Sequence, residues 1–268
     1  SSGGNGAFLE ADGPSSMAAI DWGDLCTVQS AEVMETRYPL HVHWTRQAMN
    51  SGGAGHTRGG LGPRRALQLT RGQPQYSLLA DGAVVPPFGI LGGESAAPVG
   101  SYMHEDGEDR PFSTPGKVGG HPMQDGDIIV LQSAGGGGYG DPLTRDPEAV
   151  LEDVVEGYVS IEEAKRSYGV IIHNEQLDHS ATVTQRTQQM NQRHRVRLTG
   201  PATTSLYEDI GRGQKRVARL HPDDAAAINV VDDQLMELLG SGGAPIRAWV
   251  RIDTTARVGH LELDARGY

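Results

Sequence analysis

The hydrophobic positions of this chain fall in short runs separated by glycine and proline, a pattern typical of a protein built mainly from β-strands. The segment "GDIIVLQSA" (126–134) predicts a strand, because its Ile-Ile-Val-Leu run is bounded by Asp-Gly and by glycines. The segment "LCTVQSAEVMETRYPLHVHWT" (25–45) has the β-branched and aromatic content of strands, with an interruption near Tyr38-Pro39. The first part of the chain is therefore expected to be rich in strands and turns.

Two short helices with recognisable ends follow the glycine run near the middle of the chain. Asp146 is a predicted N-cap, Pro147 suits the first helical position, and Gly157 marks the end of that helix. Ser160 and Glu163 have the spacing of a capping box, which predicts the start of a second helix.

The remaining pattern predicts the division of the chain into domains. A polar helix is expected over 180–193, whereas residues 195–214 lack periodicity and are a predicted linker. After the linker, "HPDDAAAINVVDDQLMEL" and the residues that follow predict a short helix, a turn and three strands, which form a small β-rich module over 215–268. The module resembles the double-psi barrel at the end of molybdopterin oxidoreductases. We expect an α+β fold, mainly β with a few short helices, with a first domain over 1–194.

Composition excludes several classes of function. The chain has 268 residues and a net charge of −11 with no long basic run, which argues against a surface for nucleic acid or anionic membranes. Aromatic residues make up only 5%, too few for base-stacking platforms. No apolar run approaches the ~20 residues that cross a bilayer. The single cysteine, Cys26, excludes an internal disulfide framework and favours a reducing cytoplasm.

The glycine run at 135–140 has the composition of a phosphate-binding loop, but not its chemistry. Such loops lead directly into a helix and supply a Lys or a Ser/Thr, whereas Asp141–Arg145 intervene here. One alternative is that glycine is needed for backbone angles and close packing. The other is a contact with substrate or a neighbouring subunit, made by Gly135, Gly136, Gly137, Gly138 and Tyr139.

Three pairs of residues are candidates for chemistry. His56 and Arg58 lie in the glycine-rich segment 51–62, where they could meet an anionic intermediate as catalytic residues, or simply pack.

The other two pairs are candidate metal ligands. His104 and His121 lie among carboxylates in a polar loop, which could equally be a solvated acidic loop. His41 and His43 share one face of a predicted strand, as a metal pair would require; a solvated or subunit-facing surface is the alternative.

Four segments together resemble hydantoinase B-type subunits. That family includes ATP-dependent N-methylhydantoinases, 5-oxoprolinases and caprolactamases, and it is related to acetone and acetophenone carboxylases. The segments occur in the family's order and extend the resemblance over about residues 3–190. They are "GGNGAFLEADG" (3–13), "EVMETRYPL" (32–40) with "SGGAGHTRGGLG" (51–62), "PPFGILGGESAAPVG" (86–100) and "AGGGGYGDPLTRDPEAVLEDVVEGYVSIEEAKRSYGVII" from residue 134.

The resemblance implies an ATP-dependent reaction carried out by a hetero-oligomer. A hydantoinase A-like partner with an actin-like ATPase fold binds ATP and phosphorylates the substrate oxygen, and the B-type subunit handles the activated intermediate. Family subunits are about twice as long as this chain, and their metal ligands lie in the N-terminal half. The chain is therefore expected to be a split or processed C-terminal half. A further partner chain would carry the N-terminal half and its divalent metal, such as Zn, Mn or Mg.

The resemblance leaves three hypotheses for the reaction. The first is ATP-dependent hydrolysis of a cyclic amide, and the second is ATP-dependent carboxylation of a ketone with bicarbonate. The third is a non-catalytic structural subunit of such a complex. In each case the chain alone is expected neither to bind ATP tightly nor to turn over substrate.

Overall fold

The protein is described by a computed structural model that covers residues 3–18, 29–193, 196–199, 207–209, 214–238 and 246–263. The chain forms two compact units, Ser1–Thr187 and Gln188–Tyr268. The predicted linker, 195–214, lies largely outside the described residues, and its described parts include two short strands. Cys26 also lies outside them.

The helices and strands have the following bounds. Those that begin in the first unit are α1 (Ala31–Arg37), β1 (Leu40–Gln47), β2 (Pro63–Leu69), β3 (Gln75–Leu79), β4 (Gly100–Glu105), β5 (Glu108–Pro111), β6 (Lys117–Pro122), β7 (Ile128–Gln132), a 3₁₀ helix (Pro142–Thr144), α2 (Pro147–Val155), α3 (Ile161–Arg166), β8 (Ile172–His173), β9 (Gln176–Leu177) and α4 (His179–Gln192), which crosses into the second unit. Those of the second unit are β10 (Arg197–Thr199), β11 (Tyr207–Asp209), β12 (Gln214–Leu220), α5 (Pro222–Ala227), β13 (Leu235–Leu238), β14 (Ile246–Ile252) and β15 (His260–Glu262).

A five-stranded antiparallel sheet organises the first unit. Its strand order is β1-β2-β7-β4-β5, and β3 pairs separately with β6. Leu69, Met123 and Ile129 form a buried cluster, and Tyr76 of β3 and Met103 of β4 pack against it. Strands β2, β4 and β7 thus each supply an apolar side chain to one face of the sheet. These features confirm the predicted α+β class with mainly β structure.

Several predicted elements are found where the sequence placed them. The predicted strand at 126–134 is β7, and the predicted helix at 180–193 is α4. The Asp146 side chain accepts a hydrogen bond from Glu148 N at the start of α2. The Ser160 side chain likewise accepts from Glu163 N at the start of α3. Capping signals were therefore reliable in this part of the chain.

The strand prediction for 25–45 is wrong over the described residues before Pro39. Ala31–Arg37 is a helix, and the Ser30 side chain accepts a hydrogen bond from Val33 N as its N-cap. Glu32 lies in the first turn and Arg37 in the last, where each charge interacts favourably with the helix dipole. These local end signals outweigh the apolar content that suggested a strand.

The second unit has its own sheet and core. Its strand order is β10-β15-β12-β14-β13, and β11 pairs with β12. The pairs β12–β14 and β10–β15 are parallel, and the others are antiparallel. The predicted short helix is α5, and the three predicted strands are β13, β14 and β15. The double-psi resemblance remains a prediction. Its central buried cluster consists of Ala218, Leu220, Ala248, Val250, Leu261 and Leu263.

The glycine run of the first unit is an interior segment that packs against backbone on every side. A Cβ atom on Gly135 would lie 1.9 Å from Ser51 O, and one on Gly138 would lie 2.0 Å from Ala54 O. A Cβ on Gly136 would lie 1.8 Å from Asn5 O, and one on Gly137 would lie 1.9 Å from Phe88 O. Gly135, Gly136 and Gly137 therefore face three different segments: 51–62, the N-terminal loop and 86–100. Gly138 again faces the segment 51–62. A repeat of three residues is that of a polyproline II helix.

The hydrogen bonds of the run agree with that geometry. Gly136 N donates to Gly60 O at 2.9 Å, and Gly138 N donates to Glu94 O at 3.0 Å. A polyproline II helix has no internal hydrogen bonds, so its peptide groups are free to bond outward in this way. None of the residues 135–138 has a positive φ angle, so they do not need glycine for left-handed backbone. They need it because another backbone occupies the place of each Cβ. We call residues 135–138 and the segments around them the glycine core.

An added methyl group should test this packing. We expect Gly136→Ala to lower the free energy of unfolding by more than ~3 kcal/mol, the upper end of the range for overpacking, because its Cβ meets backbone that cannot rotate away. Urea unfolding would measure it. The matched control is Gly119→Ala, because a Cβ there has no atom within 4 Å and its φ is not positive. Equal midpoints for the two variants would contradict the packing described above.

Candidate functional site

Two arginines and two aspartates form a buried ionic cluster beside the glycine core. Arg145 Nη1 and Nη2 each lie 2.7 Å from a carboxylate oxygen of Asp12. Arg145 Nη2 also donates to Asp153 at 2.8 Å, and Arg58 Nε donates to the other Asp153 oxygen at 3.1 Å. Each aspartate therefore lies between two arginines, and charge-assisted hydrogen bonds of this kind are the strong ones in proteins. We call these four residues the arginine–aspartate cluster.

The cluster ties together parts of the chain that are far apart in sequence. Asp12 lies in the N-terminal loop and Arg58 in the glycine-rich segment 51–62, and Asp153 belongs to α2. The backbone strengthens the link, because Arg58 N donates to Asp12 Oδ1 at 2.6 Å and Gly13 N donates to Arg58 O at 2.8 Å. The cluster thus fixes the position of the segment that carries His56.

The electrostatics of the cluster depend on burial. Burial disfavours the charge of Asp12, but hydrogen bonds from Arg145 and Arg58 and their positive charges hold its pKa below the usual value. Burial raises the pKa of Asp153 against the opposing charges of the same arginines. The charge of Asp12 also raises the pKa of Asp153, whose side chain is 7% exposed. Asp12 is 33% exposed and accepts a hydrogen bond from Arg58 N, which helps to lower its pKa. Burial likewise disfavours the charge of Arg145, but both aspartates raise its pKa.

Arg58 is committed to this cluster. Its side chain is only 6% exposed, and its Nη1 also donates to Gly59 O at 2.8 Å. Contact with a substrate would require breaking a buried ion pair, which is costly. The catalytic role predicted for Arg58 remains a prediction, and the geometry favours the packing alternative.

His56 is exposed, and its hydrogen bonds define the tautomer of its neutral ring. Its Nδ1 lies 3.2 Å from Thr144 O and 3.0 Å from Thr144 Oγ1. The carbonyl can only accept, and the Thr144 hydroxyl already donates to Asp141 O at 2.7 Å. In the neutral imidazole Nδ1 therefore carries the hydrogen, and Nε2 has a lone pair. A histidine oriented in this way can accept a proton at Nε2.

The backbone holds His56 on both sides. His56 N donates to Gly140 O at 3.2 Å, and Arg145 Nη1 donates to His56 O at 3.3 Å. On the neighbouring residue, Thr57 exchanges two 3.1 Å hydrogen bonds with Tyr139. His56 therefore stands at the end of the glycine run, and its ring position is set by both the run and the cluster.

Tyr139 lies in a surface region that includes exposed apolar side chains. Thr57 and Ile90 bridge its backbone from two sides, and the Thr57 hydroxyl donates to Phe8 O. Phe8, Phe88 and Ile90 are exposed. By contrast, Gly135, Gly136, Gly137 and Gly138 are buried. The predicted contact with substrate or a subunit remains a prediction for all five residues, and Tyr139 alone among them is positioned to make it with a side chain.

The polar loop predicted to contain His104 and His121 is wrong, because His104 lies on β4 and His121 on β6. His104 Nδ1 lies 2.6 Å from Asp109 Oδ1, and Arg64 binds the other oxygen of that carboxylate. His121 is on β6 of the separate two-stranded sheet, and its ring packs edge-on against Phe112 at 5.2 Å between centroids. Within the described ranges there is no group of three or more His, Cys, Asp or Glu side chains able to hold a metal ion. The metal role of the two histidines remains a prediction.

The glycine run does not fit a nucleotide either. The N–H groups of Gly136 and Gly138 are used by carbonyls of the chain, whereas a phosphate site needs free ones.

Three members of the cluster were not recognised from the sequence as site residues. They are Asp12, Arg145 and Asp153. In the sequence, Arg145 belongs to the connection that precedes the helix begun by Asp146, and Asp153 lies within that helix. The one signal in the sequence is the position of Asp153 on the apolar face of its helix. A charged side chain on such a face requires a partner of opposite charge.

The chain belongs to the hydantoinase B/oxoprolinase family. The sequence model of that family matches residues 1–142. The beta subunit of caprolactamase from Pseudomonas jessenii is 36% identical over 157 residues, a match that covers 56% of this chain and 26% of the relative. The chain therefore spans about a quarter of the length of that relative.

Two solved structures share the fold of much of this chain. The crystal structure of ATP-dependent caprolactamase from Pseudomonas jessenii has a TM-score of 0.50 and 30% identity, and the match covers 69% of this chain and 33% of that one. The nucleotide-free structure of acetone carboxylase has a TM-score of 0.62 and 23% identity, with 71% and 30% covered. At that identity the second likeness concerns the fold alone. No helix among the described residues combines the length and apolar character needed to span a bilayer.

The cluster can be tested by neutralising its most buried carboxylate. We expect Asp153→Asn to lower the free energy of unfolding by about 3 kcal/mol, because it leaves two buried guanidinium groups short of negative charge. Chemical denaturation would measure the change. The control is Glu152→Gln, which removes a charge from an exposed neighbour and should alter stability by less than about 0.5 kcal/mol. A comparable effect of both substitutions would show that the cluster does not stabilise the fold.

Proposed function

We propose that this chain forms part of the B-type subunit of an ATP-dependent, multi-subunit enzyme that hydrolyses a cyclic amide. A partner subunit would bind ATP and phosphorylate the amide oxygen, and this chain would take part in the hydrolysis of the activated intermediate. The orientation of His56 is the observation that supports a catalytic role for this chain. Its Nδ1 is hydrogen-bonded to Thr144, and its Nε2 can accept a proton.

The proposed chemistry follows from the stability of the amide bond. Resonance makes an amide carbon a poor electrophile, and phosphorylation of its oxygen removes that protection. Water can then attack the carbon while His56 Nε2 accepts one of the protons of that water. The protonated ring would return the proton to the amide nitrogen as the carbon–nitrogen bond breaks, which leaves an acyl phosphate. A second water would then attack the same carbon, and phosphate would leave with the former amide oxygen to give the carboxylate. His56 would therefore act first as a base and then as an acid.

The arginine–aspartate cluster supports this step as a positioning device. Arg145 donates to the carbonyl of His56, and Arg58 follows His56 by two residues in the chain. Rigid neighbours hold a catalytic group in productive geometry, and a displacement of about 1 Å can cost a factor of about 100 in rate. We propose no direct contact between the cluster and substrate.

Sequence identity to a lactam-hydrolysing relative favours hydrolysis over carboxylation. The caprolactamase subunit is 36% identical, and its name identifies an enzyme that acts on a lactam. Ketone carboxylation is the second candidate, and the 28% identity over 207 residues with the alpha subunit of acetone carboxylase from Xanthobacter autotrophicus supports it. A structural subunit without catalytic residues is the third.

Substitution of His56 tests the proposal in the assembled enzyme. We expect His56→Ala to lower kcat by about 100-fold or more, the range for loss of a general acid–base group, while KM for the cyclic amide changes little. The measurement is turnover by the complex reconstituted with its ATPase partner. His173→Ala removes another exposed histidine of the first unit and should leave kcat unchanged.

Labelled bicarbonate in the same assay separates the alternatives. An unlabelled ring-opened product would support hydrolysis. Label in an acid product would contradict hydrolysis and support the carboxylase hypothesis. Full turnover by the His56→Ala complex would instead leave the chain with a structural role.

A further inference from the structure

His41 and His43 lie next to each other on the outer strand of the five-stranded sheet. Strand β1 is at the edge of that sheet, and both histidines are exposed. The pairing of β1 with β2 shifts register between Val42 and Trp44, so that His43 occupies a bulge. The two imidazole rings have centroids 5.0 Å apart and planes inclined at 72°. The contact between the rings shows that both lie on the same exposed side of the strand, as residues two apart in a strand do.

A carboxylate fixes the hydrogen of His41. His41 Nδ1 lies 2.9 Å from Glu35 Oε1, and the same oxygen accepts a hydrogen bond from Val42 N at 2.8 Å. An ionised carboxylate is only an acceptor, so Nδ1 of the neutral ring carries the hydrogen. The other ring nitrogen of His41, Nε2, then has a lone pair that could bind a metal ion. A carboxylate behind a histidine is the arrangement that orients histidine ligands in metal sites.

A glutamine fixes the hydrogen of His43. His43 Nε2 lies 3.1 Å from Gln68 Oε1. The amide of Gln68 cannot be reversed, because its Nε2 donates to Gly126 O at 3.1 Å. His43 Nε2 must therefore be the donor, and Nδ1 of the neutral ring has the lone pair. The two adjacent rings thus each have one nitrogen held by a partner on the protein and one nitrogen with a lone pair.

We propose that His41 and His43 bind a divalent transition-metal ion. Imidazole nitrogen is a ligand that Zn²⁺, Ni²⁺ and Cu²⁺ accept, whereas Mg²⁺ prefers oxygen. Two imidazoles bound to one tetrahedral ion at about 2.0–2.1 Å place their ring centres about 5 Å apart. That separation matches the one observed here. Water would complete the coordination, because the described part of the chain offers no third His, Cys, Asp or Glu to make a larger group.

Such an ion would connect α1 to the sheet. Glu35 is on α1, and it already bonds to the ring of one ligand and to the backbone of β1. Metal binding makes the histidine Nδ1–H a stronger donor to that carboxylate. A ligand that binds only the folded state also raises its stability. Metal should therefore raise the unfolding temperature of the first unit.

Calorimetric titration of the full chain, carrying no affinity histidines, would test this site. We expect one Ni²⁺ ion to bind per chain and Mg²⁺ not to bind. His41→Ala and His43→Ala should each weaken Ni²⁺ binding by at least 10-fold, since each removes one of the two protein ligands. Glu35→Gln should weaken it by about 10-fold to 100-fold, the usual effect of losing the partner behind a ligand.

The control and a second readout keep the test decisive. His173→Ala removes an exposed histidine on β8 and should bind Ni²⁺ like the unaltered chain. The unfolding temperature of the unaltered chain should rise with Ni²⁺, and that of the His41→Ala and His43→Ala chains should not. Absence of Ni²⁺ binding at millimolar concentration would overturn the proposal. So would equal affinity in the His41→Ala, His43→Ala and unaltered chains, provided that all three unfold cooperatively.

Discussion

The structure of the first unit depends on direct contact between backbone segments at its centre. Side chains normally fill a protein interior, but in the glycine core the peptide groups themselves do so. Each residue of the run 135–138 faces a carbonyl oxygen of a neighbouring segment at a distance where a Cβ cannot fit. Several of those neighbours are also glycines: a Cβ on Gly59 would lie 1.8 Å from Gly136 O, and one on Gly93 would lie 2.1 Å from Gly138 O. In the glycine core, glycine is therefore a packing requirement.

This constraint also explains how the candidate site is held. The glycine-rich segment 51–62 is packed between the run and the N-terminal loop, and His56 lies where it meets the end of the run. The arginine–aspartate cluster adds ion pairs to the same region. Its members come from the N-terminal loop, the glycine-rich segment, the connection before α2 and the C-terminal half of α2. A polar group at His56 can thus be both exposed and rigid. The proposed catalytic role needs both properties.

The sequence allowed much of the fold and part of the site to be predicted. Helix starts at Asp146 and Ser160 were predictable because caps are local, and β7 was predictable from its apolar run. The family resemblance was predictable from short motifs in a fixed order, and the family match over residues 1–142 confirms it. The cluster was not predictable, because pairing between Asp12 and Arg145 joins residues that only the tertiary fold brings together. Helix α1 was missed because its apolar residues suggested a strand.

Amide hydrogen exchange over residues 133–140 tests the central claim most directly, namely that the glycine run is a buried structural element. The peptide groups of Gly136 and Gly138 are bonded inside the first unit, so their exchange should require unfolding of that unit. The exposed turn 105–108 between β4 and β5 supplies an internal reference for fast exchange. We predict that the 133–140 peptide remains protected long after this turn has exchanged. Exchange at the rate of the turn would contradict the account and would mean that the run is an open, ligand-accessible loop.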